Sequence, residues 1–99
     1  MDQREVIKKA TQYKALLSQY VDFEAIILYG SHTTGRARED SDIDIAVVVE
    51  KTGEDFFAIN PLLWKLRRAI DDRIEPILVE KSRDRADFLE SIKKTGIEV

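Results

Sequence analysis

A chain of 99 residues has room for one domain with a modest core, since small domains bury only about 60 to 65% of their unfolded surface, and a second domain is not expected. At 43% hydrophobic and 35% charged the sequence is globular rather than disordered, and 16 basic against 19 acidic residues give a formal charge of −3, which provides no general attraction to nucleic acid or to an anionic membrane. The lack of cysteine excludes disulfides, thiolate zinc sites and cysteine nucleophiles, leaving a hard, oxygen-bound metal; the polar opening Met1 to Glu5 and the lack of a membrane-length apolar run predict a soluble, cytoplasmic protein.

From Gln3 to Tyr20, Val6, Ile7, Ala10, Tyr13, Leu17 and Tyr20 recur every three or four positions, the period of one buried helical face, with Asp2 as N-cap. Ala25 to Tyr29 is a short β-branched and aromatic run stopped by Gly30, and it reads as a buried strand. Ser31 to Ser41 is polar, with length for a turn or two of helix and then a bend. Asp42 to Val49 is a second strand, with Ile43, Ile45, Val47 and Val49 on one face and Asp42, Asp44, Ala46 and Val48 on the other.

Lys51-Thr52-Gly53 is a break, and Phe56 and Phe57 fall in a short turn. Pro61 reads as the first residue of a helix capped by Asn60 and running through Leu66 to Ile70. Ile74 to Val79 is a third strand whose Pro76 cannot donate to a ladder, so it lies at a sheet edge or a bulge. Asp84 to Lys94 is a last helix, stopped at Gly96. Tyr29 and Trp64 are expected in the core, with Trp64 or Phe56 on a partner surface as the alternative. The sum is a small α/β domain over residues 1–99, a mixed three-stranded sheet flanked by about four helices.

The chemistry is concentrated after the first two strands. At Gly30-Ser31 a strand ends and a helical turn begins, so unpaired backbone N–H groups and the Ser31 hydroxyl can face a phosphate that Gly30 lets approach closely. Alone, this pattern is more often an ordinary turn. In Asp42-x-Asp44 the strand period turns two carboxylates to one face, with Cα atoms about 6.5 to 7 Å apart. Two such charges about 5 Å apart repel by about 3 kcal/mol at an effective dielectric of 20, which a bound cation would offset. Mg²⁺ suits the position, because it binds through one or two carboxylates plus substrate phosphates.

A third carboxylate would complete a two-metal shell and help deprotonate an acceptor. Glu75 is the candidate, the alternative being an ordinary exposed strand glutamate. Arg36 and Arg38 could neutralise triphosphate charge or pair locally with Glu39 and Asp40. His32, the sole histidine, has no marked partner in the sequence.

Tyr29-Gly30-Ser31, a ten-residue spacer and Asp42-Ile43-Asp44 resemble the Gly-Ser…Asp-x-Asp signature of the nucleotidyltransferase superfamily that includes DNA polymerase β. The chain length, Ile74-Glu75-Pro76 and the segment from Phe88 to Glu98 are similar to the minimal nucleotidyltransferase antitoxins, the MntA-like proteins paired with HEPN toxins. The resemblance covers nearly the whole chain. It implies the polymerase β-like fold, ATP as donor, two Mg²⁺ ions, and AMP transfer to a tyrosine of a HEPN-type toxin held in a hetero-oligomer, with no membrane or direct nucleic-acid partner. Carried over by position, Gly30 and Ser31 hold phosphates, and Asp42, Asp44 and Glu75 hold metals. Family members often carry an arginine just before the second glycine; this chain has Thr34 there, which leaves Arg36 as a substitute or the triphosphate less firmly held. Two other readings stay open: a non-catalytic antitoxin that neutralises its partner by contact, and an aminoglycoside-type nucleotidyltransferase subunit acting on a small molecule.

Overall fold

The computed structural model describes residues 2–50, 56–83 and 87–99. The break at Lys51-Thr52-Gly53 and the expected helix start from Asp84 through Ala86 lie outside the described residues. Helix α1 spans Gln3–Leu17, and the Asp2 carboxylate accepts the Glu5 N–H at 2.9 Å, as an N-cap does. It buries Val6, Ala10, Tyr13 and Leu17. Tyr20 does not continue the stripe. The N–H groups of Gln19 and Tyr20 bond back three residues, tightening the turn, and Tyr20 swings out to 58% exposure while Val21 takes the buried place.

Strand β1 (Ala25–Tyr29) pairs antiparallel with β2 (Ile43–Val49), and the short helix α2 (Ser31–Thr34) opens the connection between them. Helix α3 (Phe56–Leu66) crosses from β2 to β3 (Ile74–Glu80), which lies parallel to β2. Helix α4 (Asp87–Thr95) leads into β4 (Ile97–Glu98), antiparallel to β1. Among the described residues the mixed sheet thus has four strands in the order β3-β2-β1-β4 rather than three. Two residues are too few to show alternation in a sequence. At Gly96 the chain folds back so tightly that a Cβ would collide with the Ile92 carbonyl oxygen and lie 2.8 Å from Ile27 Cγ2 and 2.9 Å from the Leu28 oxygen.

Pro61 sits inside α3 rather than at its start, and Phe56 and Phe57 belong to the helix rather than to a preceding turn. Its ring removes the backbone bond to the Phe57 carbonyl. Packing holds the helix together across that gap: Leu63 is fully buried, Ile59, Leu62 and Leu66 pack on the core, and the buried Tyr13 hydroxyl donates to the Leu63 carbonyl at 2.9 Å. The α-helix ends at Leu66 and the chain continues as a 3-10 turn over Arg67–Ala69, short of the expected end at Ile70. Pro76 falls, as its chemistry requires, on the outermost strand.

The two faces of β2 divide the core. Ile43, Ile45, Val47 and Val49 pack with Ile26, Leu28 and Ile74 against α1 and α3. Ala46 and Val48 pack with Ile27 and Val79 against Leu89 and Ile92 of α4. Among the described residues no helix is long and apolar enough to cross a membrane.

Candidate functional site

Strand register places Tyr29, Asp44 and Glu75 in one row across β1, β2 and β3, on the face that α4 covers only farther along. Asp42 stands two residues before Asp44, just ahead of the strand. Gly30 follows Tyr29 with φ 81° and ψ −148°, a conformation that L side chains rarely adopt. A Cβ there would collide with Asp44 Oδ2, so glycine is needed both for its backbone angle and for close approach to the carboxylate. The Gly30 carbonyl accepts from the Thr33 N–H at 3.0 Å and from Thr33 Oγ1 at 2.9 Å, which fixes the turn into α2. Ser31 opens that helix half-buried, and Gly35 ends it in the left-handed conformation with φ 76°.

Residues 36–42 fold back over α2. The Arg38 N–H donates to Ser41 Oγ at 2.7 Å, and His32, only 6% exposed, places Nε2 3.4 Å from the Ser41 carbonyl oxygen. The histidine is therefore part of the support for Asp42 and Asp44, a role that nothing in its sequence context signals. Arg36 and Arg38 are exposed just beyond α2.

Burial, and next to it the charge of Asp42, push the Asp44 carboxyl above its ordinary range, against a smaller opposing effect of His32. Glu75 is pushed up as well, by desolvation, by the charge of Asp42, by a side-chain hydrogen bond to Asp42 and by the charge of Asp44, while Arg67 acts weakly the other way. The Tyr29 hydroxyl is raised to about 12 by burial and by the charges of Asp44 and Glu75. Asp42, Asp44 and Glu75 thus come together, and among the described residues none of them forms an ion pair. Nor, among the described residues, does any group of three such side chains form a metal cage by itself. The acids are hard oxygen donors whose mutual repulsion a dication would relieve. The residues fit Mg²⁺ on that chemistry.

A cavity of about 380 Å³ opens beside the acids, lined by Tyr29, Asp44, Glu75 and the β3 residues Pro76 to Leu78 on one side and by Phe56, Asn60 and Trp64 of α3 on the other. Trp64 is not core as expected: it is 38% exposed, with the Arg67 guanidinium 4.8 Å from its ring centroid, and Tyr29 is half-buried with Phe88 edge-on to it. The α3 residues of this wall were legible in principle, since positions 56, 60 and 64 repeat every fourth residue, on a stripe separate from the buried Leu63.

The fold has counterparts. The family model described as "Polymerase beta, Nucleotidyltransferase" matches residues 11–99. A protein assigned as a nucleotidyltransferase from Sulfolobus solfataricus superposes with TM-score 0.67 at 20% identity, over 97% of this chain and 80% of that one. A toxin-antitoxin structure with AMP-PNP gives TM-score 0.62 at 26% identity, over 99% of this chain and 72% of that one. A structure of the toxin-antitoxin MntA-HpeT, mutated at two aspartates two positions apart, gives 0.60 at 23% identity, over 99% and 72%. No curated protein sequence matches the chain. With the family model spanning most of its length, the chain belongs to the polymerase β nucleotidyltransferase family.

Proposed function

We propose that this protein is a Mg²⁺-dependent nucleotidyltransferase that moves AMP from ATP to a hydroxyl of a partner protein, a tyrosine of a HEPN-type toxin, and thereby acts as a cytoplasmic antitoxin. The observation that carries the proposal is the cluster of Asp42, Asp44 and Glu75, three acids drawn together beside Gly30 with, among the described residues, no cationic side chain paired to them. The toxin-antitoxin neighbour solved with AMP-PNP supports a nucleoside triphosphate donor and a toxin partner.

Gly30 and Ser31 hold the phosphates, with Arg36 reaching in from the following loop in place of the arginine that Thr34 replaces. Asp42, Asp44 and Glu75 are the metal ligands, two Mg²⁺ ions being expected, and bound metal would stabilise charge on the entering and leaving oxygens. The acceptor oxygen forms a bond to the α-phosphorus as the bond to the bridging oxygen breaks, and pyrophosphate leaves with that electron pair. Glu75, whose carboxyl holds protons more readily than usual, accepts the hydroxyl proton. Residues 1–99 act as one minimal unit, and the acceptor surface comes from the partner.

Incubation with labelled ATP, Mg²⁺ and the toxin partner tests this. Label is expected on the partner and lost in Asp42→Asn/Asp44→Asn. Label retained in that variant removes the metal assignment; protection of the partner by the unlabelling variant identifies a non-catalytic antitoxin; label on a small molecule without any protein acceptor overturns the toxin assignment.

A further inference from the structure

The cavity beside the acids draws on both faces of β3: Glu75 and Ile77 from the Asp44 side, Pro76 and Leu78 from the α3 side. It therefore runs around the outer edge of the sheet, at β3. The backbone there can be read from one bond. The Ile43 N–H donates to the Arg73 carbonyl at 2.8 Å, so in this parallel pair the odd residues 73, 75, 77 and 79 turn their main-chain groups toward β2, and the even residues turn theirs outward. Ile74 agrees: its N–H donates to the Asp71 carbonyl and its own carbonyl accepts from Arg67 Nη1 at 3.2 Å. Between Ile74 and Glu80 the outward groups are the Pro76 carbonyl and the N–H and carbonyl of Leu78. Among the described residues none of these has a hydrogen-bond partner. The window is flanked by exposed apolar surface, with Ile77 at 41% and Trp64 at 38% exposure, and ends at Glu75.

We infer that this window is the acceptor site, and that it takes an extended peptide segment that pairs as an added strand with Pro76 and Leu78 and lays a hydroxyl-bearing aromatic side chain between Trp64 and Ile77, toward Glu75. The inference rests on the reading that the three acids carry out transfer, and it names the acceptor's conformation and the residues that select it. Main-chain groups facing the cavity favour a polypeptide, because another extended backbone offers donors and acceptors at strand spacing. The cavity volume of about 380 Å³ has room for a large aromatic side chain. The cavity is continuous with the reaction site through Asp44 and Glu75, and Gly30 and Ser31 lie outside its lining, which separates the acceptor side from the phosphate side.

The probe is the acetylated, amidated pentapeptide Thr-Val-Tyr-Val-Thr, titrated to millimolar concentration into ¹⁵N-labelled protein holding Mg²⁺ and AMP-PNP. Amide shifts are expected to centre on Ile77 and Leu78 with a shift of the Trp64 indole, and exchange of the Leu78 N–H slows. N-methylation of the tyrosine and of its neighbouring valine should differ, one register losing about tenfold in affinity and the other tolerated, because alternate residues face the edge. Trp64→Ala should weaken the peptide about tenfold and leave AMP-PNP affinity unchanged. No shifts at millimolar peptide, shifts centred elsewhere, equal tolerance of both N-methyl peptides, or a Trp64→Ala effect on AMP-PNP alone, which would make the cavity a base pocket, each overturn the inference. Edge binding without any labelling of the peptide or partner sinks the transfer reading and leaves the site; aspartate-dependent labelling of the partner without edge binding sinks only the site.

Discussion

Two groups of acids at the ends of the strands meet opposite fates. Asp71, whose side chain is 8% exposed, is held by Arg73, with Nη2 at 2.8 Å and Nε at 3.0 Å on its two oxygens, and by Lys9, and these contacts pull its carboxyl far below the usual range. Asp44 and Glu75 sit side by side on β2 and β3 with no paired cation among the described residues and are pushed the other way. Asp71 ties α1 to the turn before β3, so its charge stabilises the fold. The charges of the other cluster oppose folding, which is the cost that the proposed metal and nucleotide would offset on binding.

Replacing the unpaired acids separates activity from stability most sharply. Asp42→Asn/Asp44→Asn should lower nucleotidyl transfer on the order of 10³-fold, the loss of several kcal/mol of transition-state stabilisation, while urea denaturation of the metal-free protein shows no loss of stability. Gly30→Ala brings the two effects together: the strained backbone costs about 1 to 3 kcal/mol, and the added methyl displaces the Asp44 carboxylate, so denaturation and labelling assays should both fall. Asp71→Asn does the reverse of the double variant. Since Lys9 and Arg73 are partly exposed, the screened loss is about 1 to 2 kcal/mol, with transfer unchanged at a temperature where the variant is folded.

Acid titration gives the smallest effect, and its direction differs between the clusters. The Asp71 contribution is present above its ordinary value of 3.8 and drains away as the pH falls below it toward the depressed native value. Asp44, with a raised native value, contributes stability below 3.8 that is lost as the pH rises through that raised value. Equilibrium unfolding across this range should therefore show an acid limb that Asp71→Asn flattens and Asp42→Asn/Asp44→Asn does not.

Much of the candidate site was legible because its spacing is short. Asp42 and Asp44 need only a strand period to converge, and Gly30 announces a special backbone by its place after an apolar run. Glu75 required a further step, since a parallel register brings it beside Asp44 and no local pattern specifies that register. Pro76 was informative for the same physical reason, a missing donor, that misled at Pro61: the first could be placed at an edge, whereas the second is overridden by the packing of Leu63 and Tyr13. The structural part of His32 depends on contacts across a loop, and β4 depends on pairing with β1. Trp64 looked like core because aromatic size argues for burial, yet it lies on the α3 stripe with Phe56 and Asn60 that faces the cavity.

Thermal unfolding with and without Mg²⁺ and AMP-PNP bears on the acids' purpose most directly. If they are held together to receive a dication and a triphosphate, the unaltered protein gains stability with Mg²⁺ and more with Mg²⁺ plus AMP-PNP, reaching about 2.7 kcal/mol when the nucleotide is a hundredfold above its dissociation constant. Asp42→Asn/Asp44→Asn then starts no less stable and gains nothing from the metal. Equal stabilisation of both proteins, or none of either, would contradict the assignment.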